Sequence, residues 1–360
     1  MLIVGGGGPT ASGAALPAAA GYVALGDSFA AGVGSRSYRP DDPCYRSPIS
    51  YPAVVAERYQ LDLTLAACSG AVTADVVETQ ARSLRSSTRF VTVTIGGNDL
   101  GFSSVLTTCA LPGWLGRCGP AIDRSLATLR TSLPGRLDRV LATVRQRAPR
   151  ATVVVTGYPR LFGDEDCSAL TFFSADERGR LNAATDELDE VIADRTAAAG
   201  LRYADPAPAF GRHAWCDDPS WVNGPSRPLL NAYHPNADGH AGYAALVGPS
   251  LAGGRPDATT VTTGAPDLVG TTPDTAARLP PAASTRSGAR SGATDVSTFA
   301  LPDLGTAAVT RASLAAGLTR AELARFRHAQ RTGAGDAELD RLDVTLTARA
   351  AQRRAASGSR

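Results

Sequence analysis

Two periodicities of apolar residues alternate along residues 22–251. Five short runs, "YVAL" (22–25), "LDLTLAAC" (61–68), "FVTVTIGG" (90–97), "ATVVVTGYP" (151–159) and "LRYADP" (201–206), read as strands. They are short and mainly apolar, and "FVTVTIGG" is strongly β-branched. Between them the apolar positions recur at helical spacing: "YPAVVAERY" (51–59), "ADVVETQARSL" (74–84), a long stretch over 120–148 broken near Pro134, residues 174–200, and a closing helix at 236–251. Ser174 and Glu177 have the spacing of a capping box, and Gly200 follows at the other end. Strand–helix alternation with strands this apolar predicts an α/β fold, a mostly parallel sheet with helices on both faces. Such sheets gather functional groups beyond the carboxyl ends of their strands. Ser28 follows the first predicted strand, Ser69-Gly70 the second and Asn98 the third.

The pattern fades at both ends. Residues 1–20 carry no charged side chain and end in small residues, as expected of a leader or the remnant of a signal peptide. Residues 21–252 form the predicted folded domain. Residues 253–360 begin with an Ala/Thr/Pro/Gly/Ser-rich linker and are expected to be a disordered or weakly helical, low-complexity tail. Two short helical patterns occur there, at 319–330 and 336–356. Thr319 and Glu322 have capping-box spacing at the first.

Charge adds little. All 36 basic residues are arginine and the net charge is +2, so nothing favours nucleic acid as a partner. No stretch approaches the roughly 18 apolar residues of a membrane span. The six cysteines fall between positions 44 and 216 and form no CxxC pair. That argues against a zinc or redox motif and for disulfides in an exported protein. Spacing alone leaves the connectivity open.

The candidate chemistry is nucleophilic. In "GDSFAAG" (26–32), Ser28 sits at a strand-to-helix bend, accessible but needing a base to accept its proton. Of the four histidines, His234 in "NAYHPNADGHAGY" stands just before a helix that Asn236 can cap, held extended by Pro235. The backbone N–H groups of Ser28 and Gly70 and the side-chain amide of Asn98 are suitable donors to a developing oxyanion. No cluster has the ligand pattern of a metal site, and no cofactor is expected.

Four blocks now occur in order: "GDSFAAG" (26–32), "ACSGAVTAD" (67–75), "TIGGNDLGF" (94–102) and "HPNADGH" (234–240). Together they resemble the SGNH, or GDSL-type, hydrolases, especially the secreted actinobacterial lipases and esterases. The resemblance implies a flavodoxin-like three-layer α/β/α sandwich and hydrolysis of carboxylic esters through an acyl-enzyme. Ser28 would be the nucleophile and His234 the general base, with Ser28, Gly70 and Asn98 as oxyanion hole. It also implies the pairs Cys44–Cys68, Cys109–Cys118 and Cys167–Cys216. One position departs from the family pattern: Asn231 stands where an aspartate usually orients the histidine. The expectation is a Ser-His dyad helped by a carbonyl near Asn231, side-chain or backbone, with Asp217 or Asp218 as a lesser candidate. Asp27 suits a structural role. The insert 101–119 offers Leu106, Leu111, Trp114 and Leu115 either to an acyl pocket or to core packing. The expected protein is a secreted monomer acting on a small-molecule or lipid ester. The same site would serve a carbohydrate deacetylase or an acyltransferase, and the same fold a non-catalytic binding protein.

Overall fold

Five parallel strands form the centre: β1 (Gly21–Gly26), β2 (Asp62–Leu65), β3 (Phe90–Thr94), β4 (Thr152–Thr156) and β5 (Arg202–Ala204). Their spatial order is β2-β1-β3-β4-β5. The coordinates are a computed structural model. It describes residues 16–253 apart from 116, 165, 167–170 and 226–227, and, beyond them, 299–300, 305–315, 317–332, 345, 346, 349 and 352. Every residue of β3 is buried. Its two threonines are nonetheless satisfied: Thr92 Oγ1 meets Tyr22 Oη at 2.8 Å, and Thr94 Oγ1 meets Tyr51 Oη at 2.8 Å and Thr156 Oγ1 at 2.9 Å. A β-branched hydroxyl thus keeps strand geometry without an orphaned polar atom.

The helices are α1 (Ser28–Ala31), α2 (Tyr51–Tyr59), α3 (Thr73–Glu78), α4 (Phe102–Cys109), α5 (Cys118–Thr131), α6 (Leu133–Arg147), α7 (Ala175–Ala198), α8 (Ala207–Phe210), α9 (Ala237–Leu251), α10 (Ala307–Ala315) and α11 (Arg320–Thr332). Helices α2 and α9 pack together on one face of the sheet, and α3, α5, α6 and α7 form the layer on the other. The result is the expected three-layer sandwich. The stretch 120–148 divides at Ser132 because Pro134 lies in the first turn of α6, where a missing N–H does no harm. Helix α7 opens on the expected capping box: Glu177 N–H donates to Ser174 Oγ at 3.3 Å and Ser174 N–H to Glu177 Oε2 at 3.0 Å. The reading of 74–84 as one helix is corrected: α3 stops at Glu78 and Gln80–Ser83 forms a separate 3-10 turn.

Cys44 pairs with Cys68 and Cys109 with Cys118. Cys216 is also disulfide-bonded; Cys167, its expected partner, lies outside the described residues. Among the described residues no helix is long and apolar enough to cross a membrane, and no group of three or more His, Cys, Asp or Glu is placed to hold a metal ion. In the C-terminal part, the expected Thr319–Glu322 box opens α11, with Thr319 N–H donating to Glu322 Oε2 at 2.8 Å. Helix α10 was not anticipated, and most of 336–356 lies outside the described residues.

Candidate active site

Strand β1 runs into the site. Gly26 closes it, Asp27 is the N-cap and Ser28 is the first residue of α1. Asp27 Oδ1 accepts from Phe29 N–H at 3.0 Å, and Oδ2 accepts from Tyr158 Oη at 2.5 Å. Burial pushes the Asp27 carboxyl up to about 7, against the pull of the Tyr158 hydrogen bond. Tyr158 Oη in turn accepts Gly97 N–H at 3.1 Å, so the nucleophile turn is tied to the loop that carries Asn98. Gln80 grips the end of β1 on both sides, accepting from Gly26 N–H at 2.7 Å and donating to Gly26 O at 2.8 Å. Asp27 therefore has the structural role expected of it. Tyr158 and Gln80 were missed: one follows the fourth strand in "TGYP", and the other was read as part of a helix over 74–84.

The three residues expected to supply oxyanion donors, Ser28, Gly70 and Asn98, all line one cleft. Neither Ser28 N–H nor Gly70 N–H donates to an acceptor among the described residues. Ser28 has no intrahelical acceptor because it opens its helix. Gly70 sits at φ +81°, where a side chain would be strained. Asn98 Nδ2 donates one hydrogen to Ala71 O at 3.0 Å, and an amide has a second to offer. Asp99 fastens this loop to the preceding block, accepting from Thr73 N–H at 2.9 Å, Thr73 Oγ1 at 2.6 Å and Arg136 Nη1 at 3.0 Å.

His234 Nε2 lies 2.8 Å from Ser28 Oγ. Its Nδ1 lies 2.9 Å from the backbone carbonyl of Ala232. Donation to that carbonyl fixes the tautomer whose Nε2 lone pair faces the serine. The Asn231 expectation is corrected in part: the acceptor is a backbone carbonyl, but that of Ala232. Asn231 is buried facing the other way, its Oδ1 accepting from Tyr38 Oη. Asp217 Oδ2 is occupied by Ala214 N–H at 2.8 Å, and Asp218 is exposed. Burial pushes the His234 imidazole down to about 4, partly opposed by the Ala232 carbonyl. Some of the residue still reaches solvent at the cleft. His240 is buried in α9 with Nε2 3.2 Å from Val33 O, and His213 stacks on Trp221 at 4.0 Å. His328 lies on α11.

Two residues that sequence reasoning did not single out hold the histidine loop. Asn223 N–H donates to His234 O at 2.9 Å, and Asn223 Nδ2 bridges Gly34 O at 2.9 Å and His234 O at 3.1 Å. Gly34 is at φ +97°, and a Cβ there would come within 2.2 Å of Pro235 O and 2.8 Å of His234 Cβ. Only a glycine lets the loop after α1 approach the histidine this closely.

The GDSL-like lipase/acylhydrolase family matches residues 24–241. The chain belongs to this family. The GDSL hydrolase is 39% identical over 229 residues to a lipase of Streptomyces rimosus, spanning 63% of this chain and 85% of the lipase. Among solved structures it is similar to a phospholipase A1 from Streptomyces albidoflavus NA297, with TM-score 0.60 and 42% identity over 65% of this chain and 98% of that one. It is likewise similar to an extracellular lipase from Streptomyces rimosus, with TM-score 0.60 and 39% identity over 65% and 98% of the two chains. The protein is an ester hydrolase.

From Ser28 the cleft of this GDSL hydrolase extends between α4, α5 and α7. Its walls are mostly apolar, with Leu106 on α4, Ile122 and Leu126 on α5, and Leu181 and Leu188 on α7. Of the four insert residues, only Leu106 lines it. Trp114 and Leu115 pack instead with Phe172 and the C-terminal helices. Leu111 is half-buried and lines no part of the cleft.

Proposed function

We propose that Ser28 and His234 act as a dyad that hydrolyses carboxylic esters of apolar acyl chains through an acyl-enzyme, in a protein exported from the cell. The observation that carries this is the 2.8 Å contact between Nε2 and Oγ at one end of a leucine-lined cleft. His234 Nε2 takes the Ser28 proton as Oγ bonds to the ester carbonyl carbon. The carbonyl π electrons move to oxygen, where Ser28 N–H, Gly70 N–H and Asn98 Nδ2 receive the charge. Each such donor is worth about 3 kcal/mol when tested singly. Collapse expels the alcohol, which takes the proton from His234. Water then attacks the acyl-enzyme by the same route, releasing the acid and restoring the hydroxyl.

Among the described residues no carboxylate meets His234 Nδ1; the Ala232 carbonyl takes that place. The carbonyl still selects the tautomer, which is the larger part of what an orienting aspartate supplies. The apolar cleft supports a lipid acyl group over an acetylated sugar, since an acetyl group fills no leucine-lined channel. The disulfides and the likeness to an extracellular lipase support export. The test is a fluorophosphonate probe with an ester series from acetyl to palmitoyl. Stoichiometric labelling at Ser28 and faster turnover of longer chains are expected. A folded protein that never labels at Ser28 overturns the reading. Added alcohol captures the acyl group if the enzyme is instead a transferase.

A further inference from the structure

The C-terminal segment reaches the cleft. Phe299 lines it and is only 4% exposed. Its ring meets that of Tyr233, the neighbour of His234, edge-on at 4.9 Å. The next residue, Ala300, donates its N–H to Thr107 Oγ1 on α4 at 3.0 Å. The segment thus spans from the histidine loop to α4, two walls of the cleft. Helices α10 and α11 brace the chain beyond α4. Trp114 lies inside the Cys109–Cys118 loop and donates Nε1–H to Ser313 Oγ at 3.1 Å. Its ring takes Phe326 edge-on at 4.9 Å, and Phe326 also meets Phe172 at 5.1 Å. The family match ends at residue 241. The solved phospholipase is 98% covered by its match to 65% of this chain, so about a third of this chain lies outside that match.

We infer that Phe299 is a specificity-determining residue: it roofs the acyl cleft, so that the C-terminal segment sets the acyl-chain preference of the hydrolase. This rests on the cleft being the acyl site. An acetyl group needs only the space at Ser28. A longer chain runs along the leucines and stays dry only if the roof is closed. Each methylene withdrawn from water is worth about fourfold in binding, so a missing roof registers chiefly on long substrates.

The test uses the full-length protein, with active sites titrated by a fluorophosphonate and kcat/KM measured per titrated site on p-nitrophenyl acetate and p-nitrophenyl decanoate. Phe299→Ala is expected to lower the decanoate-to-acetate ratio more than threefold, while Phe299→Leu, which keeps an apolar roof, stays within threefold of the parent. A smaller fall in the alanine variant, no change or a rise overturns the inference. So does a leucine variant as impaired as alanine, which traces the effect to the aromatic contact with Tyr233. If the alanine variant titrates no sites, Phe299→Trp decides: its larger ring narrows the cleft and lowers the ratio more than threefold, and a smaller change overturns the inference. A folded parent that hydrolyses neither ester refutes the esterase reading instead.

Discussion

In the proposed dyad His234 has a backbone carbonyl at Nδ1 where a full negative charge is more usual, and single-residue variants separate the two parts of that arrangement. His234→Ala removes the base and is expected to lower kcat by about 10³-fold or more. Asn231→Ala leaves the Ala232 carbonyl in place and is expected to cost less than tenfold. Asn231→Asp brings no gain in kcat, because its side chain faces Tyr38; steady-state kinetics on one short ester checks all three. The depressed imidazole pKa has its own signature. Only neutral His234 accepts the serine proton, so activity falls as pH drops through the folded-state pKa. The acidic limb of kcat/KM is expected below the ordinary 6.5, toward 4. A limb at or above 6.5 would contradict the buried base. Asp27 shifts the other way, up to about 7. Tyr158→Phe deprives it of its donor and raises it further, so the folded variant keeps its proton above pH 7 while the unfolded chain has lost it. The stability loss, about 2 kcal/mol, is therefore expected to be larger at pH 8.5 than at pH 6 by urea denaturation.

At the scale of elements, the site is assembled by strand ends and cross-links between loops. The Cys44–Cys68 bond anchors the chain just before Gly70, and Ser69 N–H donates to Cys44 O at 3.1 Å. A Cys44→Ser, Cys68→Ser double variant is expected to lose about 3 kcal/mol in denaturant titrations, with a lower kcat from a less fixed Gly70. Strands β1, β3 and β4 were legible because burial on both faces leaves a continuous apolar run, and β2 because exposed Asp62 and Thr64 alternate with buried Leu63 and Leu65. That Ser28, Gly70, Asn98 and His234 share one cleft was legible because they stand at strand ends or beside a helix cap. The clamps were not. Gln80, Asn223 and Tyr158 are polar or amphipathic residues whose partners lie 54, 189 and 131 positions away in the chain. No local pattern announces such a bond. The carbonyl of Ala232 was equally hidden, since every residue carries one.

For the molecule as a whole, the C-terminal segment is where composition told least. Few apolar residues occur there, and Leu318, Leu323 and Phe326 become a core only once Trp114 and Phe172 are brought to them. Phe326→Ala is expected to speed amide exchange in α10 and α11 while β1 and β3 keep their protection, because the small cluster opens independently of the main core. Equal acceleration in both would show a single cooperative unit. The Ser28 hydroxyl and the His234 imidazole are 206 positions apart, one just beyond the first strand and the other before the last core helix. On the proposed dyad, a chain still short of His234 therefore carries the nucleophile without its base, however much of the sheet has already formed.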